Sequence, residues 1–252
     1  MAGSRLLLVD AFNLVRRIYE ARGDGAEHMD EVIEASRRSL ERALGNHSPT
    51  HACAVFDSHD KTWRHLLYPD YKANRKPTPP ALLANLQKFR TAFKEQLVES
   101  LKVDNYEADD QIATLARGIA DAGGEAIILS TDRAFLQLLS SRIRVFNHFE
   151  GTEINATDIR AKFGCEVSQL TDLWAMAGDA SNNIKGVPRI GKKTAANLLA
   201  EYGSLEEVLR GDDDNASAVR VRENGDLVQR CKQLVTLKTD VALGINLKSL
   251  RL

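Results

Sequence analysis

The stretch Leu6-Leu7-Leu8-Val9-Asp10 is a run of aliphatic residues followed by one acid, and it predicts a buried strand that ends at a carboxylate. Two later stretches repeat the pattern, Ala54-Val55-Phe56-Asp57 and Ile127-Ile128-Leu129-Ser130-Thr131-Asp132. Helical patterns separate these runs through the first 150 residues, and such alternation is typical of βαβ units. The sequence therefore predicts an α/β fold with a mostly parallel central sheet. Its ligand crevice is expected beyond the carboxyl ends of the strands.

A fourth acidic stretch, Glu107-Ala108-Asp109-Asp110, opens a predicted helix. Glu107 and Asp110 are spaced i, i+3, which puts them on one helical face. Any one of these acids could instead be a helix cap or favour the helix dipole. Carboxylates gathered in one crevice, however, repel one another and retain protons unless divalent cations neutralise them. The combined pattern indicates a magnesium site.

Composition places few limits on function. Of the 252 residues, 43% are hydrophobic and 27% charged, and the net charge of −1 does not by itself indicate a nucleic-acid partner. Cys53, Cys165 and Cys231 lie far apart, which argues against a zinc site or a disulfide framework and favours a reducing, cytoplasmic location. No signal-peptide pattern is seen, and no window approaches the run of about 18 apolar residues that a membrane helix needs.

Residues 61–102 form a basic insertion, with nine Lys or Arg residues against three acids. Its first part, residues 69–80, is punctuated by prolines, and residues 81–101 have helical spacing. A helix is predicted from Glu107 to Ala122. Beyond residue 150 we predict a helical subdomain, residues 151–252, with helices at 155–163, 168–177, 192–202 and 226–237. The acids of residues 211–215 are best explained as a solvated loop.

Residues 184–195 contain two glycines, Gly186 and Gly191, ahead of a predicted helix. Such a hairpin can point backbone N–H groups at a phosphate, and four basic residues accompany it; the alternative is a glycine turn with lysines facing solvent. A P-loop is rejected because Lys193 stands where Ser or Thr would bind magnesium. The acids, the basic insertion and this hairpin together favour a metal-dependent phosphodiesterase acting on a polynucleotide. The four basic residues are Lys185, Arg189, Lys192 and Lys193.

Nearly the whole chain resembles the 5'-nuclease domain of bacterial DNA polymerase I and the freestanding flap endonucleases. The resemblance is closest to the stand-alone exonuclease IX-like branch, since no polymerase module follows. It implies a PIN-like core, a helical arch made from residues 61–102, and a helix-three-turn-helix unit, similar to helix-hairpin-helix, that grips duplex DNA. The motifs that carry it are, in order, Leu8-Val9-Asp10, Val55-Phe56-Asp57, Tyr71-Lys72-Ala73-Asn74-Arg75, Glu107-Ala108-Asp109-Asp110, Ser130-Thr131-Asp132 and Gly178-Asp179 leading into the hairpin.

The resemblance also implies site residues. The acidic pocket would hold Mg²⁺, for which Mn²⁺ could substitute, and Asp109 and Asp110 would be essential to cleavage. Lys72 and Arg75 would contact the scissile phosphate. Tyr71 would either stack on an unpaired base or pack the base of the arch. The pocket acids are Asp10, Asp57, Glu107, Asp109, Asp110, Asp132 and Asp179; the carbonyls that would hold K⁺ belong to Met176, Ala177, Lys185, Val187 and Ile190; the other DNA contacts are Arg189, Ile190, Gly191, Lys192, Lys193 and Thr194.

Two positions depart from the family pattern. Ala134 and Asn182 stand where the family usually has an Asp that serves a second metal ion. Two lost charges weaken the electrostatic hold on that ion, although an amide oxygen can still hold water around it.

We therefore expect a monomeric flap endonuclease that hydrolyses DNA near 5' single-strand/duplex junctions during repair or replication. Two other hypotheses stay open. Loss of the two acids could have left a junction-binding protein with little turnover, and PIN-type ribonucleases also carry strand-end carboxylates.

Overall fold

A computed structural model describes residues 3–22, 26–58 and 60–252. The chain forms two compact units. The first comprises residues 1–60, 77–153 and 238–252, and the second comprises residues 61–76 and 154–237. The predicted division at residue 150 is coarser than this, because residues 61–76 group with the second unit and residues 238–252 with the first.

A six-stranded sheet lies in the first unit, in the order β3-β2-β1-β4-β5-β6. β1 pairs in parallel with both β2 and β4, β2 with β3, and β4 with β5. The predicted mostly parallel α/β architecture is confirmed. The strands are β1 (Arg5–Asp10), β2 (His51–Val55), β3 (Glu99–Leu101), β4 (Glu125–Leu129), β5 (Ile143–Asn147) and β6 (Thr152–Ile154).

Eleven α-helices are described in residues 3–22, 26–58 and 60–252. The helix predicted at 107–122 is α5, and the helix predicted at 192–202 is α8. The helices are α1 (Ala11–Ala21), α2 (Met29–His47), α3 (Trp63–Leu67), α4 (Pro80–Lys94), α5 (Ala108–Asp121), α6 (Ala156–Phe163), α7 (Leu170–Ala177), α8 (Lys192–Tyr202), α9 (Leu205–Arg210), α10 (Ala216–Glu223) and α11 (Gly225–Val235).

The core of the first unit lies between the sheet and helices α1, α2 and α4. Leu7 and Val9 of β1 are fully buried, as the aliphatic run predicted. Leu82, Phe89 and Phe93 of α4 belong to the same core cluster. The basic insertion therefore contributes a core helix as well as exposed cations.

One predicted element is wrong at its end. The helical spacing of residues 81–101 predicted one helix, but α4 ends at Lys94 and Glu99–Leu101 is the edge strand β3. Leu97 breaks the helix because its φ is 63°, in the left-handed region that a helix cannot continue through. The strand β3 has only three residues, and strand and helix periodicities are hard to separate in so short a segment.

The second unit is helical, as predicted. Helix α7 packs against α8 and α11, with Leu170, Leu173 and Met176 fully buried. The residues 211–215 predicted as a loop separate α9 from α10. Among the helices that the structure describes, none has the length and apolar character needed to cross a membrane.

Candidate active site

Three acids lie at the carboxyl ends of the central strands, and we call them the acid cluster: Asp10, Asp57 and Asp132. Asp10 is the last residue of β1, Asp57 follows β2 by two residues, and Asp132 follows β4 by three. β1 lies between β2 and β4 with all three strands parallel, so the three acids leave the sheet in the same direction. The predicted grouping of strand-end carboxylates follows from this register.

Asp10 is a buried member of the acid cluster, and its pKa is raised. Only 5% of the surface of Asp10 is exposed to solvent. Burial, and then the negative charge of Asp57, raise the pKa of Asp10 to about 7 from its ordinary value of 3.8, with a smaller contribution from Asp132. Hydrogen bonds from the Ser130 hydroxyl to Asp10 Oδ2 (2.8 Å) and from the Asn13 N–H to Oδ1 (3.1 Å) oppose this rise. At neutral pH this group holds a proton part of the time unless a cation compensates its charge.

The start of helix α5 lies against the acid cluster. Asp57 Oδ1 accepts a hydrogen bond of 2.8 Å from the N–H of Ala108, the first residue of α5. Glu107 and Asp110 are buried, at 5% and 0% exposure, and Asp109 is half-buried. Asp110 Oδ1 also accepts a hydrogen bond of 2.9 Å from the backbone N–H of Lys238. The start of α5 therefore lies beside Asp57, and the convergence of Glu107, Asp109 and Asp110 on one metal stays a prediction.

The oxygen-rich donor set fits a hard divalent cation. In the described part of the chain, no group of three or more His, Cys, Asp or Glu side chains has an arrangement that would by itself hold a metal ion. Magnesium, however, usually keeps several water ligands and binds only one or two carboxylates directly. The buried Asp10 beside Asp57 and Asp132 is the observation that favours a cation here, because these like charges otherwise force protonation.

Lys72, Arg75 and Asp179 belong to the second unit, and their convergence with the acid cluster stays a prediction.

Two turns of the second unit are joined by hydrogen bonds. We call residues 70–75 the Arg75 turn and residues 179–183 the Asp179 turn. The N–H of Lys72 donates to the Asn182 carbonyl at 3.0 Å. Lys72 has φ of 57°, which is sparsely populated by residues with a side chain, so this turn is locally strained.

Tyr71 was open to two roles, and its surroundings favour packing. The residue is 4% exposed, and its ring lies edge-on to His65 at 5.3 Å between centroids. Lys72 Nζ lies 5.1 Å from the centre of the same ring. A ring this buried favours the packing role, and the stacking of Tyr71 on DNA stays a prediction.

The glycine hairpin is present in the second unit, and of its two glycines Gly186 is the one that the backbone requires. Gly186 has φ of 67°, and a β-carbon there would lie 2.7 Å from the Met176 carbonyl oxygen. A β-carbon at Gly178 would lie 2.5 Å from the Ile184 carbonyl oxygen. The two backbone segments therefore touch, and the N–H of Val187 donates to Met176 O at 2.8 Å.

The predicted potassium ligands are backbone carbonyls of these segments. Met176 O already accepts a hydrogen bond from Val187, and Val187 O accepts one from Ile190 at 3.1 Å. A carbonyl oxygen has a second lone pair, so these bonds leave room for a cation. For all five carbonyls, those of Met176, Ala177, Lys185, Val187 and Ile190, the potassium role stays a prediction.

The cations of the hairpin face solvent. Lys185, Arg189, Lys192 and Lys193 are all exposed, and none of them makes an ion pair with another described residue. Gly191 precedes α8 and has no side chain to cap its first N–H groups, at Lys192, Lys193 and Thr194. Positive charge and uncapped donors at one helix start are what a phosphate requires.

Several supporting residues escaped the sequence analysis. Ser130 was quoted only as part of a motif, yet its hydroxyl bonds Asp10. Asn13 Oδ1 accepts from the N–H and hydroxyl of Thr131, which ties α1 to the loop after β4. Arg64, counted among the basic insertion, is 1% exposed, and its Nε donates to the Leu234 carbonyl at 2.8 Å. No sequence signal separates such a buried arginine from those that face a ligand.

Two domain families together match the chain almost throughout. The 5'-3' exonuclease N-terminal resolvase-like domain matches residues 5–164, and the 5'-3' exonuclease C-terminal SAM fold matches residues 165–252. The flap endonuclease Xni of Psychromonas ingrahamii is 41% identical over 98% of this chain and 97% of its own. The flap endonuclease Xni of Colwellia psychrerythraea is 38% identical over 99% and 92%.

Solved structures share the fold at lower identity. A bacteriophage T5 protein co-crystallised with metal ions superposes with a TM-score of 0.77 at 22% identity, covering 93% of this chain and 90% of that one. The catalytic core of Rad2 in complex with a DNA substrate gives a TM-score of 0.60 at 12% identity, covering 95% and 80%. With full-length relatives near 40% identity, the chain belongs to the 5'-3' exonuclease family, in its flap endonuclease branch.

Proposed function

We propose that this protein is a structure-specific flap endonuclease that hydrolyses DNA phosphodiesters near 5' single-strand/duplex junctions with Mg²⁺. The single observation that carries the metal requirement is the burial of Asp10 beside Asp57 and Asp132, which makes its charge dependent on a cation. Family membership and the exposed cations of the hairpin support a nucleic-acid substrate.

Asp10, Asp57, Asp110 and Asp132 would hold the principal ion, directly or through water. A bound divalent cation lowers the pKa of a water ligand and stabilises negative charge on the phosphate oxygens. Mn²⁺ offers a similar oxygen-binding preference and would substitute. Glu107, Asp109 and Asp179 are the other predicted members of the acidic pocket. Ala134 and Asn182 supply no carboxylate, so any second ion would be held more weakly.

Lys72 and Arg75 would stabilise the scissile phosphate, because charge gathers on its oxygens during hydrolysis. Duplex grip would come from Arg189, Ile190 and the residues 191–194, aided by K⁺ on the hairpin carbonyls. Such contacts reach the phosphate backbone, so recognition would depend on DNA structure more than on base sequence. One chain supplies all these groups, which is consistent with a monomer, and its three free cysteines favour a cytoplasmic location.

The decisive test is a magnesium titration of 5'-flap cleavage by the parent and by Asp132→Asn. The asparagine keeps an oxygen that can accept the existing hydrogen bond from the Ala134 N–H (2.8 Å) but removes the charge. We expect a loss of about 100-fold or more in cleavage rate at limiting Mg²⁺, partly recovered at high Mg²⁺. Protection against thermal unfolding by Mg²⁺ should weaken in parallel, which reports metal binding without relying on turnover.

Asp121→Asn is the matched control, because Asp121 is an exposed acid at the far end of α5 in the same unit. It should cleave as the parent does. A protein that binds the flap in EDTA, and that does not cleave it when Mg²⁺ or Mn²⁺ is added at any concentration, would be a binding protein instead. Preferential cleavage of an RNA hairpin would identify a ribonuclease.

A further inference from the structure

Arg75 is held from one side by the Asp179 turn. Its Nη2 donates to Asn182 Oδ1 at 2.7 Å, and its Nε donates to the Ser181 carbonyl at 3.1 Å. Arg75 is exposed and makes no ion pair with any residue that the structure describes. A guanidinium has five N–H groups, so these two bonds fix its orientation while the others can still reach a phosphate.

The Asn182 side chain joins Arg75 to Asp179. Its Oδ1 accepts from Arg75, and its Nδ2 donates to Asp179 Oδ2 at 2.6 Å. Asp179 Oδ1 also accepts from the Ser181 hydroxyl at 2.6 Å. The amide therefore acts as donor and acceptor at once, and both partners are charged.

A carboxylate at position 182 could not make this link. An ionised carboxylate only accepts hydrogen bonds, so it would lose the bond to Asp179 and place a second negative charge beside it. The same carboxylate would pair with Arg75 and offset its positive charge. The neutral amide is the side chain that holds Arg75 without neutralising it.

We propose that Asn182 is a positioning residue, which orients Arg75 toward the substrate phosphate and keeps its charge unpaired by anchoring on Asp179. The inference rests on the proposed function, since it assumes that Arg75 contacts DNA. It gives Asn182 a function of its own at a position where the family pattern has an acid.

The test is a double-mutant cycle with Arg75→Ala, Asn182→Ala and the double variant. Affinity for a 5'-flap duplex is measured in EDTA, and single-turnover cleavage is measured in Mg²⁺. We expect each single change to weaken binding and slow cleavage, with the double variant no worse than Arg75→Ala. The non-additivity should amount to about threefold or more. Additive effects would overturn the proposal.

Asn182→Asp separates charge from orientation. It retains an oxygen for Arg75 but adds the neutralising charge. We expect the dependence of log affinity on log salt concentration to flatten by about 0.9, the loss of one phosphate contact, as in Arg75→Ala. An unchanged salt slope would contradict the proposal.

Asn74→Ala is the matched control, because the Asn74 side chain joins the same two turns through the Ala180 carbonyl (2.8 Å) and makes no hydrogen bond to the Arg75 side chain. It should retain cleavage within about twofold, since one exposed hydrogen bond contributes little. Equal losses in Asn74→Ala and Asn182→Ala would mean that the docking of the turns alone matters, and would overturn the proposal.

The two conclusions fail in different ways. A parent protein that binds the flap but never cleaves it contradicts the proposed hydrolase, and the binding cycle in EDTA still decides the role of Asn182. A parent that cleaves normally, together with Asn182 variants that bind and cleave equally well, contradicts the positioning role alone.

Discussion

At the scale of single residues, Asp10 shows how burial creates reactivity. The aliphatic run before it places the carboxyl at the end of a strand that is buried from Leu6 onward, where solvent cannot stabilise its charge. Ser130 and Asn13 each donate a hydrogen bond that favours the ionised form, but the two bonds do not compensate for burial and for Asp57. A carboxyl in this condition gains from a cation more than an exposed one does.

This residue predicts an unusual pH dependence of the metal-free protein. Between its ordinary pKa of 3.8 and its folded pKa of about 7, Asp10 binds more protons folded than unfolded. The contribution of Asp10 to the free energy of unfolding therefore falls as pH rises through this range.

The measurement is urea denaturation in EDTA at a series of pH values between about 4 and 8, where the two protonation states of a raised carboxyl exchange. The parent should lose stability with rising pH relative to Asp10→Asn. Adding Mg²⁺ at the upper end should restore the parent more than the variant. Parallel curves for the two proteins would contradict the raised pKa of Asp10 in the folded protein.

At the scale of elements, three helices of the second unit are joined by the ammonium group of one lysine. Lys232 of α11 lies 2.6 Å from Asp172 of α7 and 2.6 Å from Glu206 of α9. Burial tends to lower the pKa of Lys232, but its ion pairs with the two acids outweigh this and raise it. The two acids differ in exposure, because the Asp172 side chain is 6% exposed and that of Glu206 is 44% exposed.

That difference predicts unequal costs for two matched substitutions. Asp172→Ala leaves Lys232 without its buried partner and the Leu205 N–H without its acceptor (3.0 Å), and should cost about 3 kcal/mol. Glu206→Ala removes an exposed partner and should cost less than about 1 kcal/mol. Denaturant unfolding of both variants checks this. Similar losses would mean that burial does not decide the strength of these pairs.

At the scale of the whole molecule, the first unit is assembled from three segments of chain and the second from two. The last segment, residues 238–252, returns to the first unit. Its Lys238 N–H bonds Asp110, and its Val241 N–H bonds the Thr114 hydroxyl at 3.3 Å. One of the predicted metal ligands is therefore positioned by the final residues of the sequence.

The contribution of this segment to stability can be measured with two leucines. Leu250 is 2% exposed and Leu252 is 37% exposed. Leu250→Ala should destabilise the protein by about 2 to 4 kcal/mol, because it leaves a cavity in the first unit. Leu252→Ala should change the unfolding free energy by about 0.5 kcal/mol or less. A harmless Leu250→Ala would show that the last segment is not required for the fold.

The sequence by itself determined the parallel sheet, the strand-end acids and the glycine hairpin, because each depends on a local pattern. Aliphatic runs of β1, β2 and β4 identify central strands, which are buried on both faces. The short strands β3, β5 and β6 and the helices α9 and α10 were not predicted. β3 and β6 have three residues each and α9 has six, which is too few for a periodicity to be seen. β5 is as long as β2 and β4, but Arg144 interrupts its apolar run, and α10 carries mostly small or charged residues.

Only the tertiary structure decided the environment of each side chain. Tyr71, Arg64 and Arg75 come from one basic insertion and look equally available in sequence, yet two are buried and one is exposed. The shift of the Asp10 pKa and the link from Asn182 to Arg75 both require groups that lie far apart in the chain. Burial and electrostatic interaction depend on distance in space, and a linear pattern of residues does not specify that distance.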